Sequence, residues 1–167
     1  MQYMKLDDPG RTELLRDLAG MPGYLRESFE SLPRDLLTTA GPNGIFSPIE
    51  QVWHLADLEK EGFGSRIDRL LSELDPQLPD FDGTAIAQAR NYKSLSLAEG
   101  LERFSAARRA NLERFRSVPD SAWLRSGVQS GVGKVSLCDM PVFLRQHDQA
   151  HQDEIRQWGR YTGSVVR

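Results

Sequence analysis

Apolar residues along this chain recur at steps of three and four in four long stretches, separated by Gly and Pro. None of the four alternates as a half-buried strand does, and no internal repeat is visible. The pattern predicts an all-α fold, four amphipathic helices packed as a bundle. The first stretch, about 11–32, carries Leu14, Leu15, Leu18, Leu25 and Phe29 at helical spacing, and Gly20, Pro22 and Gly23 predict a kink inside it. The second opens on Ser47 as N-cap, Pro48 at the first helical position and Glu50 three residues after the cap, a capping box. It is expected to run to about Leu74, with Ile49, Val52, Trp53, Ala56, Phe63, Ile67, Leu70 and Leu74 facing inward. Pro76 and Pro79 then predict a connector that is not helical. Ser96 and Glu99 repeat the start signal for a third helix, which turns Leu97, Leu101, Phe104, Leu112 and Phe115 inward and stops before Pro119. A polar, Gly-rich link over 126–134 leads to Ser136, the cap of a fourth helix reaching about Tyr161; Pro141, in its first turn or two, sets the start to within a residue or two.

At 167 residues the chain is long enough to bury its own core, so a single domain over 1–167 is expected. Hydrophobic residues at 39% and charged residues at 27% fit a soluble globular chain rather than a disordered one. No apolar run approaches the roughly 20 residues of a membrane-spanning helix. Met1 to Gly10 includes Asp7 and Asp8 and has neither the basic start nor the apolar run of a secretory signal, so the cytoplasm is the expected compartment. The single cysteine, Cys138, excludes an internal disulfide and fits a reducing compartment; beside a helix cap it reads as a small core residue before it reads as a nucleophile. A net charge of -3 gives no field that draws in nucleic acid. Arg108, Arg109, Arg114 and Arg116 alternate with Glu102 and Glu113, which reads as a solvated helix face.

Candidate chemistry rests on the three histidines. His147 and His151 stand four residues apart on the fourth helix, so both rings lie on one face about a turn apart. That face is the apolar stripe itself, Met140, Leu144, His147, His151, Ile155 and Trp158. Two neutral imidazoles on an apolar face leave acceptor nitrogens unsatisfied at roughly 1–3 kcal/mol each. A metal ion removes that cost, taking one nitrogen from each ring while the other N–H meets a nearby acceptor. His54 on the second helix lies off the main stripe, on a face shared with Glu50, Asp57 and Glu61. The residues alone leave that face as either the wall of a partly open cleft, with Glu50 or Asp57 supporting a metal, or an ordinary wet surface. Three histidines suit a borderline ion and leave a coordination position open, where a bound water or thiol loses its proton more readily. Other motifs fail. Gly131-Val-Gly-Lys-Val lacks the spacing and the Ser or Thr of a phosphate loop and reads as a turn. No Gly-x-Ser-x-Gly, Cys-x-x-Cys or His-Glu-x-x-His is present.

The Pro-containing first helix, the run Phe46-Ser-Pro-Ile-Glu-Gln-Val-Trp-His54-Leu-Ala-Asp57 and the ending His147-Asp-Gln-Ala-His151-Gln-Asp-Glu-Ile resemble the DinB-like family of metal-binding helical bundles. Phe46 stands where that family often has Trp. The resemblance implies an up-and-down four-helix bundle with one long crossover, here 75–95 between the second and third helices, and a metal triad of His54, His147 and His151. It further implies zinc or nickel as the ion and a homodimer as the assembly. The wider superfamily includes thiol transferases that activate a small thiol at the metal. Three functions follow as expectations. The first is a metal-dependent transferase delivering a small thiol to an electrophile. The second is a metal-dependent hydrolase with Glu50, Asp57 or Asp148 as proton acceptor. The third is a metal-stabilised interaction protein without turnover.

Overall fold

The computed structural model describes residues 3–166. Its backbone is four long helical rods, as the stripes predict. Helix α1 (Asp8–Phe29) forms the first, with Asp7 Oδ1 accepting from the Gly10 N–H at 2.9 Å. The turn α2 (Arg34–Leu37) leads to the second rod, made of α3 (Pro48–Asp57), a π-helical segment (Leu58–Gly64) and α4 (Ser65–Ser72). The crossover holds β1 (Gln77–Leu78) and α5 (Gly83–Ala89). The third rod is α6 (Leu97–Ser117), and the fourth is α7 (Met140–Thr162), with Pro141 in its first turn. The start signals sit where they are expected: the Glu50 carboxylate accepts from both the N–H and the hydroxyl of Ser47, and Ser96 Oγ accepts from the Glu99 N–H. Rod α6 packs against α1 and α3, and α1 against α7.

Leu74, expected inward, is 91% exposed past the end of α4, and four expectations about the backbone also need correction. The Gly20–Gly23 stretch does not interrupt α1, which runs unbroken through Pro22. Pro22 has no N–H for the Leu18 carbonyl four residues earlier; that carbonyl instead accepts from Arg108 Nη1 at 2.8 Å. The second rod is not uniformly α-helical. Gly64 suits its π-helical turn, because a Cβ there would meet the Glu59 carbonyl at 3.2 Å. The crossover, expected to be non-helical, contains α5 once past Pro79. The Gly-rich link is not irregular: β2 (Ser126–Gln129) and β3 (Gly133–Ser136) form an antiparallel hairpin, and β1 adds to β2 in parallel with Gln77 opposite Val128. This small sheet is minor beside the bundle, and Ser130-Gly131-Val132 is its turn.

Beside a smaller cluster of Ile49, Trp53, Ala87 and Tyr92, the core holds two large apolar clusters. One gathers Leu14, Leu18, Phe63, Ile67, Leu112 and Leu144 with the Trp123 side. The other gathers Met21, Leu25, Leu55, Ala56, Phe104 and Ile155. Each long rod passes from one cluster to the other, and three of them carry charged or histidine side chains at the crossing: Glu59 between Ala56 and Phe63, Arg108 between Phe104 and Leu112, and His147, Asp148 and His151 between Leu144 and Ile155. Arg108 is therefore not on a solvated face. It is 1% exposed, and donates to Asp148 Oδ2 at 2.6 Å, Asp148 Oδ1 at 2.8 Å and Glu59 Oε2 at 2.9 Å. Asn111 closes the network with bonds to the Glu59 carbonyl at 2.9 Å and Glu59 Oε1 at 2.8 Å. A polar layer thus crosses the middle of an otherwise apolar bundle. Cys138 is buried in the first cluster, as a core residue. Among the described residues no helix is long and apolar enough to cross a membrane.

Candidate metal centre

His54 on α3 and the pair on α7 converge. One ring nitrogen of each lies within 4.8 Å of the others, and this is the one such group of His, Cys, Asp and Glu side chains among the described residues. Ring centroids are 4.4 Å apart for His147 and His151, 5.0 Å for His54 and His151, and 5.6 Å for His54 and His147. The Nε2 atoms of His147 and His151 face each other at 3.1 Å.

The tautomer of His151 follows from its neighbours. Its Nδ1 lies 2.6 Å from Gln51 Oε1 and 3.0 Å from Glu154 Oε2, while Gln51 Nε2 donates to Glu154 Oε2 at 2.9 Å. Both groups facing Nδ1 are acceptors, so Nδ1 carries the proton and Nε2 presents its lone pair inward. The hydrogen bond from His151 holds the Glu154 carboxyl below its usual range, against the opposing effect of burial. His54 is the opposite case: its Nδ1 is buried and has no hydrogen-bond partner. Burial, reinforced by the charge of neighbouring His151, brings the pKa of His54 down to about 4. Burial again leads for His147, with His151, His54, Arg108 and Arg66 adding to it, and lowers it to about 2. Both rings are therefore neutral near pH 7 and free to give lone pairs. An orphaned nitrogen, two Nε2 atoms facing each other and a third-party pair that fixes one tautomer together fit the donor set a divalent ion takes from imidazoles.

Aromatic rings surround the group: Phe46 at 5.6 Å and Phe81 at 6.0 Å from His54, and Phe63 at 6.2 Å from His147. The crossover presses close here. A Cβ on Gly83, the first residue of α5, would stand 2.4 Å from His54 Cε1, so only glycine lets the crossover lie on that ring.

The carboxylates expected beside the histidines serve other elements. Glu50 binds Ser47 and lies 3.8 Å from Lys93. Asp57 accepts from Arg90 at 2.6 Å and from the Tyr92 hydroxyl at 2.5 Å, which ties the crossover to α3; it lines a surface cleft of about 700 Å³ between α3–α4 and α6 that does not include the histidines. Asp148 points to Arg108. Helical spacing from His54 and His147 suggested these positions, but each meets a cation or a cap before it meets a ring. The residues that do support His151 were missed. Glu154 is three residues after His151 on the same face of α7, a spacing that offered a signal; Gln51, three before His54, offered one only once the two helices are known to face each other.

A sequence model described as the DinB superfamily matches residues 17–155. No curated protein matches the sequence. Among solved structures, the chain superposes on a protein described as "YfiT from Bacillus subtilis is a probable metal-dependent hydrolase with an unusual four-helix bundle topology", with a TM-score of 0.86 at 18% identity, over 96% of this chain and 91% of that one. At that identity the likeness is one of fold.

Proposed function

The chain belongs to the DinB superfamily, and on that footing we propose that it is a metal-dependent enzyme whose His54, His147 and His151 hold one divalent ion and leave a position for a small ligand. The observation that carries this reading is the convergence of three imidazoles from two helices nearly a hundred residues apart in sequence, with ligand nitrogens within 4.8 Å of one another. A zinc or nickel ion held there supplies Lewis acidity that lowers the pKa of a bound water or thiol. The protein's own residues prepare the position. Gln51 and Glu154 keep the proton of His151 on Nδ1, burial keeps His54 and His147 unprotonated, and Phe46, Phe63 and Phe81 limit access of bulk water.

The reaction we assign is transfer of a small thiol to an electrophile. One observation favours thiol over water: Glu50, Asp57 and Asp148 are all engaged with caps or cations, so none stands free as a base beside the rings. A thiol that binds as thiolate has already lost its proton, whereas a water attacking an ester still has one to give up. A second reading, hydrolysis, is favoured by the description of YfiT as a probable metal-dependent hydrolase.

Elemental analysis of the purified chain tests the site. About one ion per chain is expected, lost in His54→Ala and in His147→Ala. Retention in His54→Ala would remove that residue from the centre. With cobalt in place of the native ion, adding a small thiol should change the visible spectrum; an unchanged spectrum, with ester hydrolysis that needs no thiol, would decide for the second reading.

A further inference from the structure

Two arginines are buried among the described residues, and they are treated differently. Arg108 has two carboxylates and a carbonyl on its guanidinium. Arg66, on α4 and 7% exposed, makes no ion pair with any described residue; Asp80 acts on it only from further away. Its Nε donates to the Pro79 carbonyl at 3.0 Å, and its guanidinium carbon lies 5.5 Å from the centre of the Phe63 ring. Its two η nitrogens have no hydrogen-bond acceptor among the described residues, and both keep an opening to solvent.

The surroundings of Arg66 are those of the histidines. Phe63, on which the guanidinium rests, is the ring in contact with His147, and the charge of Arg66 reaches His147. The crossover that supplies the Pro79 carbonyl brings Phe81 and Gly83 against His54 within four residues. A buried cation without a counter-charge is costly, and the cost is relieved when an anion arrives. The free Nη1–Nη2 edge offers two parallel N–H donors, the geometry that receives a carboxylate in bidentate fashion. A single positive charge balances a monoanion and leaves a phosphate dianion half-compensated, and the Phe63 and Phe81 rings offer an apolar wall for the rest of the molecule.

We infer that Arg66 anchors the carboxylate of a small organic acid with an apolar body beside Phe63, the ring it shares with His147. The anion site stands on the geometry of Arg66 alone; that the acid is the substrate of the metal centre rests on the proposed function.

Benzoate is the probe, titrated by calorimetry into the metal-free full chain and then into the zinc-loaded chain, with inorganic phosphate in parallel. Saturable benzoate binding is expected in both forms, weakened about tenfold or more in Arg66→Gln and by less in Arg66→Lys, which keeps the charge and loses the fork. Benzoate should also change the visible spectrum of the cobalt-substituted chain, and fail to do so in Arg66→Gln at unchanged cobalt content. Equal affinity in Arg66→Gln, or no saturable binding to the native chain, overturns the anchor, and tighter binding of phosphate than of benzoate overturns the carboxylate. Should Arg66→Gln not fold, unchanged benzoate affinity in Arg66→Lys overturns the bidentate contact. A chain that binds benzoate through Arg66 but takes up no metal would refute the proposed function and leave the anchor standing.

Discussion

Arg108 and Arg66 both lie within reach of His147 and both lower its proton affinity, but the chain surrounds them with opposite environments. Around Arg108 both η nitrogens are met by carboxylates and a carbonyl, and only the buried Nε lacks a partner. Glu59 and Asp148, 2% and 4% exposed, pair with it, Asn111 braces Glu59, and Pro22 frees the Leu18 carbonyl to accept from Nη1. That cluster links three of the four rods and α1's backbone at one level, so it fixes how the helices carrying the histidines are rotated against one another. Around Arg66 the accounting is left open, with one carbonyl, one aromatic face and two donors facing an opening. A closed network is what a scaffold needs, and an unsatisfied one is what a binding site needs, at some cost in stability.

The largest expected effect separates the two. Arg108→Met strands two buried carboxylates and should cost about 3–5 kcal/mol, read as a fall in the urea midpoint at unchanged slope. Arg66→Met strands no partner charge and should fall within about 1 kcal/mol of the native chain on either side. Equal and large losses would mean that Arg66 also serves as scaffold and would dissolve the contrast. Replacing Glu59, Arg108 and Asp148 together with apolar residues should recover much of the Arg108→Met loss, because the stranded charges go with it.

Acid should act on the histidine side of the comparison. His54 and His147 have folded pKa values of about 4 and about 2, against 6.5 in an unfolded chain. The unfolded state therefore binds protons first as pH falls. The stability these rings contribute is complete above pH 6.5 and is lost progressively below it, by roughly 1 kcal/mol per ring over the first pH unit. Denaturant titrations of the metal-free chain at stepped pH measure this, and a flat profile between pH 7 and 5 would show that the rings are not held neutral by burial.

The sequence carried more of this layout than the helix pattern alone suggests. The capping signals at Ser47 and Ser96, the HxxxH pair and the breaks at Pro76 and Pro119 are local, and local chemistry is legible in one dimension. The polar layer leaves only a trace, as gaps in the stripes where Glu59 falls between Ala56 and Phe63 and Arg108 between Phe104 and Leu112, and the mixed charges around Arg108 read in one dimension as a solvated face. What periodicity cannot say is which gap faces which. Glu59 is aimed at Arg108 from a π-helical segment that no 3.6-residue pattern foresees, and the short strands of the hairpin offer too few positions for an alternation to register. Asp57 and Glu50 seemed to belong with His54 because spacing along one helix was the only neighbour relation available; Glu154 shares a helix with His151, whereas Gln51 reaches it from α3.

The smallest effect concerns a third carboxylate arrangement, between the closed and the open ones. Glu154 is 39% exposed at its side chain and holds a histidine rather than an arginine. Because water can replace it, Glu154→Ala should leave folding stability within about 0.5 kcal/mol. Its loss should nonetheless be felt at the metal, since the Nδ1–H of His151 then relies on Gln51 alone, and an orienting acceptor of this kind changes metal affinity by about tenfold or more. Glu154→Gln keeps an acceptor oxygen and should lose less, and Asp153→Ala, which removes only an exposed pair with Arg156, should lose nothing. Competition against a chromophoric zinc chelator resolves the three. An affinity that falls equally in all of them would make the effect one of surface charge, whereas the graded order places the carboxylate behind His151 in the metal centre.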